Sequence, residues 1–151
     1  MNKTLLLVMG LLVLNTALYA QEAYMEVIRS TIKAEKVSII TEEMAFTDAE
    51  AAVFWPIYRE YEVKLAALYD DMLVLIRNYA VDYEFIDDAQ AKDLVSRTFD
   101  LKENMLKLKK EYYKKFEKAL SPVRAAKFVQ LEHRIDLMID LQIAGALPIL
   151  K

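Results

Sequence analysis

The chain has no cysteine, one histidine, one tryptophan, two glycines and three prolines in 151 residues. Each shortage excludes something. Without cysteine there is no disulfide bracing, no thiol nucleophile and no thiolate metal ligand. Attachment of a lipid through an N-terminal cysteine is excluded as well. A structural zinc site wants four nitrogen or sulfur ligands, and His133 cannot supply them alone. Glu132-His133 on a helix could add to a weak site between subunits, but a surface or interface histidine is the plainer reading. Gly-rich phosphate loops are missing, and no loop supports a Ser-His-Asp arrangement. The carboxylate neighbours Glu42-Glu43 and Asp70-Asp71 point to different faces of a helix, so they do not make an acid/base pair. The expectation is a protein that is not an enzyme and carries no cofactor or metal.

The glycine and proline shortage speaks to the fold. Beyond residue 20 only Gly145, Pro56, Pro122 and Pro148 can break a helix. Few breakers over that length mean few turns and long helices. An all-α single domain over residues 21–151 is expected, its stability coming from helix packing. Charge of either sign is not in large excess. Without Lys3, 19 basic side chains face 23 acidic ones, a net −4. An acidic chain of this kind is a poor nucleic-acid binder.

Residues 1–20 read as a segment apart. Lys3 gives a short positive start, Leu5–Leu14 is apolar except for Gly10, and Ala17-Leu18-Tyr19-Ala20 ends on a small residue. That is the layout of a secretory signal peptide, with cleavage after Ala20, although Leu18 is larger than usual for its position. Retention as an anchor is the alternative. Thr4–Tyr19 would make about 24 Å of helix against about 30 Å of hydrocarbon, which favours cleavage and leaves no stable membrane span. A periplasmic or otherwise exported location is therefore expected.

One short pattern organises the remainder. Phe46-Thr47-Asp48-Ala49-Glu50-Ala51-Ala52-Val53-Phe54 returns as Leu120-Ser121-Pro122-Val123-Arg124-Ala125-Ala126-Lys127-Phe128. A looser copy is Ile86-Asp87-Asp88-Ala89-Gln90-Ala91. Each is a helix start. The Thr47, Asp87 or Ser121 oxygen caps a free N–H of the first turn, and Glu50 or Gln90 can reach back to complete a capping box. Pro122 fits the first helical position, where its missing N–H costs nothing.

Four helices follow from the spacing. Residues 22–44 read as the first, weakened by the β-branched run Val37-Ser38-Ile39-Ile40-Thr41. The second runs from Asp48 to about Val81, with Phe54, Tyr58, Tyr61, Leu65, Leu68, Met72, Leu75 and Tyr79 spaced four, three, four, three. Pro56 lies inside it and predicts a bend or break near Val53–Pro56. The third, Asp88 to Ala119, has the seam Leu94, Thr98, Leu101, Met105, Leu108 and Tyr112, widened by Val95, Phe99, Leu106 and Tyr113. Equal lengths and the short link Asp82–Asp87 make these two an antiparallel hairpin, each arm near 50 Å. The fourth runs from Pro122 to about Ala144 with a stripe of Phe128, Leu131, Ile135, Met138 and Leu141, ended by Gly145 and Pro148. The shorter flanking helices cannot cover so long a hairpin, and the leftover apolar surface points to a homodimer.

Lys107–Lys118 concentrates Lys107, Lys109, Lys110, Lys114, Lys115 and Lys118, threaded with Tyr112, Tyr113 and Phe116. Bases at the end of a helix complement its dipole and are commonly just solvated. The sharper reading is a basic, aromatic surface that meets acidic or unfolded polypeptide, with Trp55, Tyr58 and Tyr61 as further members.

The export signal, the helical hairpin and the repeated helix-start motif together resemble the Spy/CpxP family of periplasmic stress proteins, whose motif is Leu-Thr-x-x-Gln. Here it stands as Phe46-Thr47-x-x-Glu50 and Leu120-Ser121-x-x-Arg124, with Gln kept only as Gln90 in the looser copy. The resemblance covers roughly residues 46–145. It implies a long bent hairpin pairing into a cradle-shaped homodimer and an ATP-independent chaperone binding unfolded or misfolded envelope proteins. The alternative it implies is a regulatory or scaffolding partner of one envelope protein, such as the periplasmic domain of a sensor kinase. Some members bind zinc, but the His-rich and Cys-containing tails of that branch are absent here.

Overall fold

A computed structural model describes residues 34–150. The expected signal peptide, residues 1–20, and residues 22–33 of the expected first helix lie outside them. Among the described residues there are four helices and no strand. They are α1 (34–44), α2 (Asp48–Asp82), α3 (Asp88–Ala119) and α4 (Pro122–Ala146). The chain divides into two units, Met1–Glu43 and Met44–Lys151, each taken by itself.

In the first unit the β-branched run is helical. Thr41 helps by donating its hydroxyl to the Val37 carbonyl at 2.7 Å, so the polar side chain is satisfied within the helix. After α1, Ala45 adopts a left-handed φ of 44°, the conformation that commonly closes a helix and more often falls to glycine.

In the second unit α2 and α3 pack antiparallel along the seams the spacing predicts. Glu60 meets Lys115 and Lys64 meets Glu111, so positions rise on one helix as they fall on the other. The turn between Phe116 and Phe128 reverses the chain again. Lys109 pairs with Asp136 and Lys102 with Asp140, which sets α4 antiparallel to α3. α4 therefore runs parallel to α2, and side chains join the two along their length: Phe54 to Phe128, Tyr61 to Glu132 and Tyr69 to Asp136. No helix among the described residues is long and apolar enough to cross a membrane.

Two expectations are corrected. Of the bend or break expected near Val53–Pro56, the break does not occur: α2 runs unbroken through Pro56. Pro56 and Ala52 both lie on the exposed face, so water serves the Ala52 carbonyl that loses its bond. α4 runs past Gly145 to Ala146, where the Leu147 N–H bonds the Ile143 carbonyl before Pro148 stops the helix. The stripe of α4 also turns. Phe128, Leu131, Glu132 and Ile135 are buried, whereas Met138 and Leu141 are exposed.

The core is uneven. Phe54 is fully buried and stacks among Phe46, Trp55, Tyr58, Phe116 and Phe128, with centroid distances of 4.4–5.5 Å. Around this cluster lie buried Leu65, Leu108, Tyr112, Ala125 and Leu131. Toward the α2–α3 turn only Leu75 and Leu101 are buried, while Val74, Val81, Phe85, Val95 and Phe99 are exposed. The seam residues Leu68, Met72, Tyr79, Leu94, Thr98 and Met105 are half-buried there, with the chain beyond α4 reaching Tyr79, whose hydroxyl donates to the Pro148 carbonyl at 2.5 Å.

Candidate functional site

The three helix starts form as their residues dictate. Thr47 accepts from the Glu50 N–H at 3.3 Å, and its own N–H donates to Glu50 Oε2 at 2.9 Å. Asp87 and Gln90 make the same reciprocal box at 2.8 and 3.0 Å. Ser121 caps the Arg124 N–H at 3.3 Å with Pro122 in the first turn.

The first and last copies then meet. Because α2 and α4 run parallel, their N-termini lie at one end, and Arg124 grips Glu50 through Nε to Oε1 at 2.7 Å and Nη2 to Oε2 at 3.1 Å. The guanidinium also rests 5.3 Å from the Phe46 ring centroid. Thus Phe46, Thr47, Glu50, Ser121 and Arg124 form one clasp. A carboxylate between two positive helix N-termini is well placed electrostatically. The Thr47 N–H holds the Glu50 carboxyl below its ordinary value, partial burial opposes this, and Arg124 adds to it. The Asp87–Gln90 box opens α3 at the opposite end and has no part in the clasp.

Beside the aromatic core, α3 and α4 enclose a cleft of about 630 Å³. Its floor is Tyr61, Tyr112, Phe116, Phe128 and Glu132; its walls are Leu106, Lys109, Lys110, Tyr113 and Lys114 from α3 and Val129 and His133 from α4. Glu132 is buried, with 4 % exposure, and accepts the Tyr61 hydroxyl at 3.1 Å. Burial chiefly, and the Glu132 charge next, push the Tyr61 hydroxyl far above the usual tyrosine range. Tyr69, donating to Asp136 at 3.1 Å, is raised by the same two causes, burial and a nearby carboxylate.

The basic, aromatic residues expected at a binding surface fall into three groups. Tyr112 and Phe116 are each 1 % exposed and belong to the core and the cleft floor. Tyr58 and Tyr61 are buried too, with Trp55 half-buried. Lys107 and Lys115 are engaged: Lys107 pairs with Glu103 at 2.9 Å, and Lys115 pairs with Glu60 and Glu111 while lying 4.1 Å from the Tyr112 ring centroid. Half-buried Tyr113 donates to Glu117 at 3.0 Å. Lys110 and Lys114 remain exposed, and among the described residues neither has an ion-pair partner.

Sequence reasoning weighed Glu132 only beside His133 and missed the row Glu132, Asp136 and Asp140, which accept from Tyr61, from Tyr69 and Lys109, and from Lys102. They recur every four residues, and Glu132 sits on the apolar stripe between Phe128 and Ile135. A charge in a buried stripe was the available signal. Among the described residues no three His, Asp or Glu side chains gather as metal ligands. Compared with known proteins, the chain matches no family model, no curated protein and no solved structure.

Proposed function

We propose that this chain is an exported, non-catalytic helical protein that captures unfolded or misfolded polypeptide without ATP, as the Spy/CpxP resemblance implies. The observation that carries the reading is an exposed stripe of α3, whose Leu106, Lys110 and Lys114 also line the cleft. Val95, Phe99 and Leu106 are exposed there at helical spacing, and Lys110 and Lys114 continue the face with no carboxylate paired to them among the described residues. Apolar contact and unpaired positive charge side by side suit an unfolded segment rich in apolar and acidic residues. A second copy covering part of the sparsely packed hairpin end would give the homodimer, and the cradle form belongs to the same proposal.

Light scattering of several unrelated unfolding proteins, mixed with this chain without ATP, tests it. Suppression across all of them, weakened by salt and by the double substitution Lys110→Glu/Lys114→Glu, is expected. Suppression of none, together with stoichiometric retention of one envelope protein, would replace it with the dedicated-partner reading.

A further inference from the structure

The stripe of α3 proposed for polypeptide capture shares Leu106, Lys110 and Lys114 with one wall of the cleft between α3 and α4, and leaves the apolar interior of the cleft without a use. Its volume of about 630 Å³ is that of a small-molecule site, which commonly spans about 300–1,000 Å³. An extended peptide fits it poorly. Backbone N–H and C=O groups entering an apolar slot need partners, and of the three tyrosines lining it Tyr61 and Tyr113 already give their hydroxyls to Glu132 and Glu117, which leaves only the buried Tyr112 hydroxyl. A ligand with one polar end does not meet that cost.

We propose that the cleft binds a free, single-chain anionic amphiphile of the fatty-acid or alkyl-sulfate class. Its chain lies against Leu106, Phe116, Phe128 and Val129, and its headgroup rests on Lys110 and Lys114. These lysines are one turn apart on α3, so both reach the same edge. Lys109 also lines the cleft, but Asp136 holds it. The buried Glu132 carboxylate on the floor repels an anion and leaves the lysine rim as the seat for the head. A cationic amphiphile meets like charge at that rim.

Isothermal titration of the purified chain with dodecanoate and with dodecyl sulfate, both below micelle formation, tests this. One saturable site per chain is expected for both anions, with dodecyltrimethylammonium at least about tenfold weaker. Lys110→Glu/Lys114→Glu removes the headgroup seat. Val129→Trp fills the slot from the partly exposed wall of α4 and leaves the charges of α3 in place. Each should weaken anion binding about tenfold or more, with far-UV circular dichroism unchanged. Equal affinity for the cation, anion binding untouched by Val129→Trp, or association with anionic vesicles but not with monomeric amphiphile would overturn the proposal. Suppression of client aggregation should survive Val129→Trp. Loss of all suppression with the anion site intact would remove the chaperone reading alone.

Discussion

Phe54 and Phe99 are the same side chain on adjacent helices of one hairpin, yet they should differ in effect by several kcal/mol when cut to alanine. Phe54 is fully buried and has five aromatic neighbours within 5.5 Å. Its removal forfeits the transfer energy of a benzyl group and leaves a hole between α2, α3 and α4, a loss of about 3–5 kcal/mol. A unit of this size has about 5–15 kcal/mol in total, so the change takes about a fifth or more of it. At about 4–8 °C per kcal/mol, the melting temperature should fall by roughly 12 °C or more. Phe99 is 69 % exposed. Its substitution loses almost no buried contact and gains the better helix propensity of alanine, so the change stays within about 0.5 kcal/mol. Urea unfolding followed by far-UV circular dichroism measures both. A Phe54→Ala loss under about 1 kcal/mol, or equal losses for the two variants, would refute the placement of the core. A Phe99→Ala loss that is present at high protein concentration and vanishes on dilution would instead mark Phe99 as covered by a second copy.

Three further outcomes are expected. The Glu50 carboxyl is held below its ordinary 4.5. A depressed folded-state value adds stability that is whole above the unfolded value and fades as pH falls through the folded one. Glu50→Gln should therefore be less stable at neutral pH and flatter below about pH 4.5 than the parent chain, as read by acid unfolding; a parallel acid limb would show that the clasp adds nothing. Tyr61→Phe removes a donor from the buried Glu132 carboxylate and should cost about 1–3 kcal/mol in urea unfolding, whereas a neutral result would show that water replaces it. Gly145→Ala sits in a helix where the added carbon meets nothing within 4 Å, so it should gain about 0.5–1 kcal/mol, and a loss would contradict a helix that runs on to Ala146.

Features with short-range causes were legible in the sequence. Thr47, Asp87 and Ser121 cap helices because their partners stand three residues away, so the starts at Asp48, Asp88 and Pro122 needed no knowledge of the fold. The four-three spacing of Phe54 to Leu75 marked the face that α2 turns inward, and the scarcity of glycine and proline pointed to long helices. Tertiary structure decided the rest, because it depends on which helix lies beside which. Pro56 pointed to a bend or a break, and the helix is unbroken there because Pro56 and Ala52 lie on its exposed face. Met138 and Leu141 looked like core until α4, turned about its axis, put Glu132 inward and left them exposed. Tyr112 read both as the end of the α3 seam and, with Phe116, as surface among the lysines; a helix places neighbours in sequence on different faces, and the packing of α2 and α4 on α3 buried these two while leaving Lys110 and Lys114 exposed. Glu50 and Arg124 read as departures from a repeated motif. Only the parallel course of α2 and α4 made them partners, since residues 74 positions apart attract each other only where the fold brings their charges within hydrogen-bonding reach.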